Sequence, residues 1–207
     1  MRTGIFGGTF DPIHIGHLIV AEHVREKMEL DRVIFIPARH PWLKSGRDIT
    51  EGQHRLEMVS LAISTNHSFI LSDVEMTRPG PSYTVDTLEA MREESGSRDE
   101  IYFIAGADAV AEMPRWKDPE RIVALCHIVA VNRPGSAGFD RQTLEPLIPH
   151  ISSCMWMIDV PQIEISSTDI RERMRAGMSI RYMVTSEVEG YIHENGLYLS
   201  NLKESGK

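Results

Sequence analysis

Six short apolar runs alternate with amphipathic stretches along most of this chain, and that alternation leaves few folds open to it. The runs lie at residues 3–6, 32–36, 68–72, 100–105, 127–131 and 155–159, each of strand length. Helical periodicity fits residues 16–29, 51–64, 82–94 and 118–125. Two more helices fit near 168–176 and 185–195, the first closed by Gly177. A strand that is apolar throughout must be covered on both faces, as happens when helices pack above and below a parallel sheet. The expected fold is α/β: a Rossmann-like, doubly wound parallel sheet with helices on both faces and a small C-terminal helical segment. Residues 1–207 read as one domain, with the helical part at about 165–198 and residues 200–207 as a frayed tail.

Bulk properties narrow the function classes. Runs such as Ile128-Val129-Ala130-Val131 are far too short to span a bilayer, and the N-terminus lacks a basic-then-apolar signal peptide. Cys126 and Cys154 have neither metal-ligand nor redox spacing, so they read as core thiols of a reduced, cytoplasmic protein. A formal net charge of −8 argues against nucleic acid, whose backbone demands a basic face. An anionic small molecule remains compatible if basic residues are focused locally, together with a divalent cation. Nothing in the sequence marks an interface, and homo-oligomerisation stays open, with Phe139 to Pro149 and the C-terminal region as candidate contacts.

The chemistry starts at the first strand–helix junction, Gly7-Gly8-Thr9-Phe10-Asp11-Pro12-Ile13-His14-Ile15-Gly16-His17. Such a junction presents backbone N–H groups and a helix N-terminus to a phosphate. It is not the dinucleotide pattern G-x-G-x-x-G, because Gly4, Gly7 and Gly8 have the wrong spacing, and the P-loop pattern is also absent. What distinguishes it is the pair His14 and His17, one helical turn apart with Gly16 between them. Surface decoration and a partial zinc site are the competing readings. Zinc would need further ligands, and neither a Cys/His cluster nor H-E-x-x-H supplies them. A second candidate is Ser166-Ser167-Thr168, preceding a helix with Arg171, Arg173 and Arg175. Alone it reads as simple N-capping; paired with the first motif, phosphate binding is the better reading.

The run G-G-T-F-D-P-x-H-x-G-H resembles the opening of the nucleotidyltransferase superfamily named for its H-I-G-H motif. Over nearly its whole length the chain resembles the bacterial nicotinate-mononucleotide adenylyltransferases. Pro81-Ser82-Tyr83-Thr84-Val85-Asp86-Thr87-Leu88 resembles that family's P-S-Y-T-x-D-T, and Gly106-Ala107-Asp108 its G-x-D. Trp116 matches its substrate-side tryptophan, Arg133-Pro134-Gly135 its R-P-G turn, and Ile165 to Arg171 its I-S-[SA]-T-x-x-R. The chain departs from the family's P-P-H-K, reading Pro41-Trp42-Leu43-Lys44, which keeps the cation and loses the histidine.

The resemblance implies transfer of the adenylyl group of ATP to nicotinate mononucleotide, releasing pyrophosphate in NAD biosynthesis. A phosphate nucleophile, with a second pKa of about 6, is already ionised and needs no general base. Catalysis then rests on positioning and electrostatics. Rate enhancements demand on the order of 8–23 kcal/mol, whereas one charge-assisted hydrogen bond supplies roughly 1.5–3 kcal/mol. Two converging motifs and Mg2+ are therefore required together. Catalysis is assigned to His14, His17, Lys44 and Arg171, the last one turn beyond Ser167 and able to take phosphate oxygens bidentately. ATP would be held by Gly7, Gly8, Thr9, Phe10, His14, His17, Ser166, Ser167, Thr168 and Arg171, and no protein ligand to a metal is assigned.

The acceptor would meet Tyr83, Thr84, Asp108, Trp116 and Arg133. Competing readings are a core tryptophan for Trp116, a helix N-cap for Asp108 and a turn role for Arg133. Solvent exposure competes for Lys44 with Arg39, His40 and Arg47, and Asp11 reads as a loop stabiliser rather than a catalyst. Rivals are a related enzyme taking nicotinamide mononucleotide, pantetheine phosphate or glycerol phosphate, and a non-enzymatic nucleotide sensor. The last two acceptors go with shorter chains lacking the P-S-Y-T-x-D-T and R-P-G landmarks. A class I aminoacyl-tRNA synthetase would carry K-M-S-K-S, which is missing. Preference for the acid over the amide follows by analogy alone.

Overall fold

Each apolar run becomes a strand of a single sheet in the computed structural model, which describes residues 1–40, 49–95, 99–132, 141–161 and 163–199. The strands are β1 (Arg2–Gly8), β2 (Arg32–Pro37), β3 (Phe69–Leu71), β4 (Glu100–Gly106), β5 (His127–Asn132) and β6 (Met155–Asp159). Their order is β3-β2-β1-β4-β5-β6, and every pairing is parallel. The longer helices are α1 (Ile15–Lys27) and α2 (Gly52–Ile63), with α3 (Val74–Thr77) a single turn before α4 (Thr84–Ser95). They are followed by α5 (Ala107–Ala111), α6 (Pro119–Leu125), α7 (Ile151–Cys154), α8 (Ser167–Arg175) and α9 (Ser186–Glu194). The six helices expected from periodicity are all present. The helices α3, α5 and α7 were not foreseen, because four or five residues are too few to display a period of 3.6.

Neighbouring strand residues supply opposite faces of the sheet. Phe6, Phe35 and Ile104 join one core with Ala21 and Val24 of α1, Met58 of α2, Ile170 of α8 and Val188 of α9. Ile5, Ile34 and Phe103 join the other with Leu88 of α4 and Ile122 of α6. Double coverage explains why the strands carry no polar alternation. The C-terminal helices share the core of α1 and α2. Among the described residues no helix is long and apolar enough to cross a membrane. Cys126 is buried and Cys154 half-buried; neither is in a disulfide, and burial pushes both thiols up, away from thiolate chemistry.

The chain winds from β1 outward through β2 to β3, then returns to place β4 on the other side of β1. At that reversal the two crossovers diverge and leave a crevice outside the carboxyl ends of the strands, the place where open α/β sheets bind ligands.

Candidate active site

The crevice is a cleft of about 620 Å³, lined among others by Gly7 and Gly8 from β1, His14 and His17, Asp108 and Ser166. Glycines keep its floor close to the backbone. A Cβ on Gly8 would stand 2.9 Å from Phe10 Cζ, and one on Gly16 would stand 3.0 Å from His14 Nδ1. Phe10 is buried in the left-handed region at φ 47°, with its ring edge-on to Phe6 and to His17. It lines the cleft from below and holds the His17 ring in place.

His14 is the N-cap of α1, and its ring lies against that of His17 with centroids 3.7 Å apart. The His14 backbone N–H donates to His17 Nδ1 at 3.2 Å. An Nδ1 that accepts carries no proton, so neutral His17 holds its hydrogen on Nε2 as a donor. The next N–H, of Ile15, donates to the Met183 carbonyl at 2.9 Å, tying the start of α1 to the connection between α8 and α9.

The second motif is brought onto the first. Ser167 Oγ donates to the Pro12 carbonyl at 2.9 Å, and Arg171 Nη1 donates to the Asp11 carbonyl at 2.7 Å. Arg171 Nη2 donates to Thr168 Oγ1 at 3.3 Å. Ser166 Oγ accepts from the Asp169 N–H at 3.0 Å, so its hydroxyl is the N-cap that the competing reading expected. The same residue also lines the cleft, and the start of α8 points its dipole there.

The residues expected on the acceptor side divide. Asp108 is exposed in the first turn of α5 at the cleft; the N-cap is Gly106, so capping is not its role. A Cβ on Gly106 would meet the tip of the exposed Asp108 carboxylate, so a side chain there would displace that carboxylate from its present position. Trp116 is half-buried, edge-to-face with Phe103 at 5.9 Å, and the described cleft does not include it. Tyr83 packs against the same core and its ring stands 5.0 Å from Lys117 Nζ, which pairs with Asp86 at 2.8 Å. Thr84 opens α4. Lys44 and Arg47, with Trp42, and Arg133 with its Pro-Gly turn lie outside the described residues. Arg39 donates to the Arg78 carbonyl at 3.1 Å. The Ser82 hydroxyl accepts from the Arg39 and His40 N–H groups at 3.2 and 3.4 Å.

Sequence reasoning missed two buried ionisable residues that support the segments of this site. Arg55 of α2 is 1% exposed and donates from Nη1 to the carbonyls of Thr9 at 2.8 Å and Ala38 at 2.7 Å. Its Nε donates to Thr50 at 2.8 Å and its Nη2 to Arg39 at 3.3 Å. Burial lowers its pKa, and Asp11 opposes that shift. The signal was an arginine on the same helix face as Met58, Val59 and Ala62.

Glu75 is 7% exposed, accepts from the Thr87 hydroxyl at 2.6 Å, and so braces the segment that carries Ser82 to Thr87. Burial raises its pKa; the hydroxyls of Thr87 and Ser82 and the charges of Arg78 and Arg55 only partly oppose this. A raised folded-state pKa means that the folded protein holds the proton more tightly than the unfolded chain. The resulting stability is full below the ordinary value of 4.5 and is lost as pH rises through the folded value. Glu75→Gln lacks this titration, so its Tm should gain on the parent's as pH rises from about 4 to 7. A Tm difference constant over that range would show that Glu75 is not held protonated by the fold.

A family model described as cytidylyltransferase-like matches residues 5–173. The "Probable nicotinate-nucleotide adenylyltransferase" of Roseiflexus castenholzii is 46% identical over 197 residues, covering 95% of this chain and 98% of that protein. The protein of the same description from Dehalococcoides mccartyi is 42% identical over 198 residues, covering 96% of this chain and 97% of its own length. Among solved structures, Plasmodium falciparum nicotinic acid mononucleotide adenylyltransferase complexed with NaAD superposes with a TM-score of 0.77 at 22% identity. That match covers 95% of this chain and 97% of the other, and it establishes the shared fold.

Proposed function

The chain belongs to the nicotinate-nucleotide adenylyltransferases within the cytidylyltransferase-like family, and from that membership we propose how its cleft transfers an adenylyl group from ATP to nicotinate mononucleotide. A phosphate oxygen of the mononucleotide attacks the α-phosphorus of ATP in line. The bond between the α-phosphorus and its bridging oxygen breaks, pyrophosphate leaves with the electron pair, and nicotinate adenine dinucleotide remains. No proton need be abstracted, because the nucleophile is already ionised. The observation that carries this reading is the junction of the two motifs: Ser167 and Arg171 bond the main chain at Pro12 and Asp11, beside the His14–His17 pair.

His14 and His17 donate to the triphosphate where charge builds up, His17 through Nε2. The backbone of Gly7 to Phe10 and the start of α8 complete the cradle. Arg171 and Lys44 supply the positive charge that pyrophosphate needs as it departs. Tyr83, Thr84, Trp116 and Arg133 form the acceptor end, with Asp108 toward ribose hydroxyls. Among the described residues no group of three or more His, Cys, Asp or Glu side chains is placed to hold a metal. Magnesium is read as arriving with the triphosphate, part of the substrate, in keeping with its preference for phosphate oxygens and retained waters. The chain acts as one cytoplasmic domain whose partners are these small molecules rather than nucleic acid or a membrane.

Pyrophosphate release with ATP and magnesium, measured against nicotinate and nicotinamide mononucleotides in turn, tests the proposal. Strong preference for the acid is expected. Equal or reversed turnover would overturn the acceptor assignment, and no pyrophosphate with any mononucleotide would leave a nucleotide sensor.

A further inference from the structure

Asp11 is 5% exposed at the centre of the first motif, and the reaction gives it nothing to do. Its carboxylate nonetheless accepts a hydrogen bond at each oxygen. Oδ1 accepts from the Tyr198 hydroxyl at 2.7 Å and Oδ2 from the Thr50 N–H at 3.3 Å. Its carbonyl accepts from Arg171, and the buried Arg55 guanidinium attracts its charge. Asp11 is thus where α2, the segment leading into α2, α8 and the segment after α9 meet on the phosphate-facing loop.

Tyr198 is the most distant of these partners, 187 residues away along the chain. Its backbone sits in the left-handed region at φ 64°, which a bulky residue rarely adopts unless its surroundings impose it. Burial and the adjacent carboxylate push its phenol above its ordinary range, so the hydroxyl stays a neutral donor. The helix before it is anchored as well, with His54 Nδ1 and the Tyr191 hydroxyl 2.8 Å apart across α2 and α9.

We propose that Tyr198 is a positioning residue for adenylyl transfer: its hydroxyl, through the Asp11 carboxylate, sets the main chain at residues 9–12. That stretch leads into the His14–His17 pair and receives Ser167 and Arg171. The inference rests on the reading that this loop grips the triphosphate. It extends that reading to a side chain at the far end of the chain that touches no substrate.

Tyr198→Phe removes one oxygen and keeps the packed ring. It should lower kcat by about tenfold, since small misplacements of a positioned group are amplified in rate. The KM for ATP should rise, and the KM for nicotinate mononucleotide should stay within about twofold. The Kd of a non-hydrolysable ATP analogue, measured by calorimetry with Tm recorded alongside, should rise in step with that KM. If the parent protein makes no pyrophosphate with nicotinate mononucleotide, the function assignment falls, while the analogue Kd still decides the role of Tyr198. Parental kcat and analogue affinity in Tyr198→Phe, even with a lowered Tm, would make the residue a fold anchor only and overturn the proposal.

Discussion

His17→Asn should lower kcat by about 10²–10³-fold, the loss typical when one preorganised donor to developing charge is removed, while Tm stays near the parent's. The choice of asparagine follows from the geometry. Its side-chain oxygen can occupy the place of Nδ1 and keep accepting the His14 N–H, but nothing remains where Nε2 donated. His17→Gln should be the milder change, because its amide nitrogen lies near the Nε2 position and its loss falls on the cap. Pyrophosphate release and thermal melts on both variants check the expectation. Unchanged kcat in His17→Asn would remove this imidazole from the chemistry.

Arg55→Met should cost about 3–5 kcal/mol of stability, the range for stripping one member from a buried charged network. Methionine fills most of the arginine's volume and donates nothing, so the carbonyls of Thr9, Ala38, Arg39 and Thr50 all lose a donor at once. Asp11 loses its compensating charge as well. For a chain of this size each kcal/mol moves Tm by roughly 2–4 °C, so the melt should fall by about 6–20 °C. Arg55→Lys should recover only part of this, since an ammonium cannot reach carbonyls on several sides with a planar fork. Denaturant unfolding measures both; a loss below about 1 kcal/mol would mean that water takes over at these carbonyls.

Part of this architecture could be read directly. The strands were legible because double burial requires uninterrupted apolar residues, and the longer helices because three or more turns reveal their period. The Gly7–His17 junction was legible because its whole chemistry is contiguous. Trp116 was less so: an aromatic side chain looks the same in a sequence whether it serves a ligand or the core, and its edge-to-face contact with Phe103 is visible only in the fold. Ser166 illustrates a different ambiguity, since one hydroxyl both caps α8 and borders the cleft. Arg55 and Glu75 went unread because a charged residue on an apolar face announces nothing until its partners are known.

What the amino-acid order determined alone is the parallel α/β framework and the identity of two candidate anion-binding segments. Both depend on patterns spanning a few turns or strands, where spacing dictates geometry. Only the folded chain decided that Ser167 and Arg171 would close on Pro12 and Asp11, that Arg55 would gather four carbonyls, and that Tyr198 would reach Asp11 from the opposite end. Most of these bonds join residues far apart in sequence, and those made to main-chain carbonyls leave no side-chain signature at the acceptor. Their pairing is set by how helices stack on the sheet, a property of the whole packed core and of no segment within it.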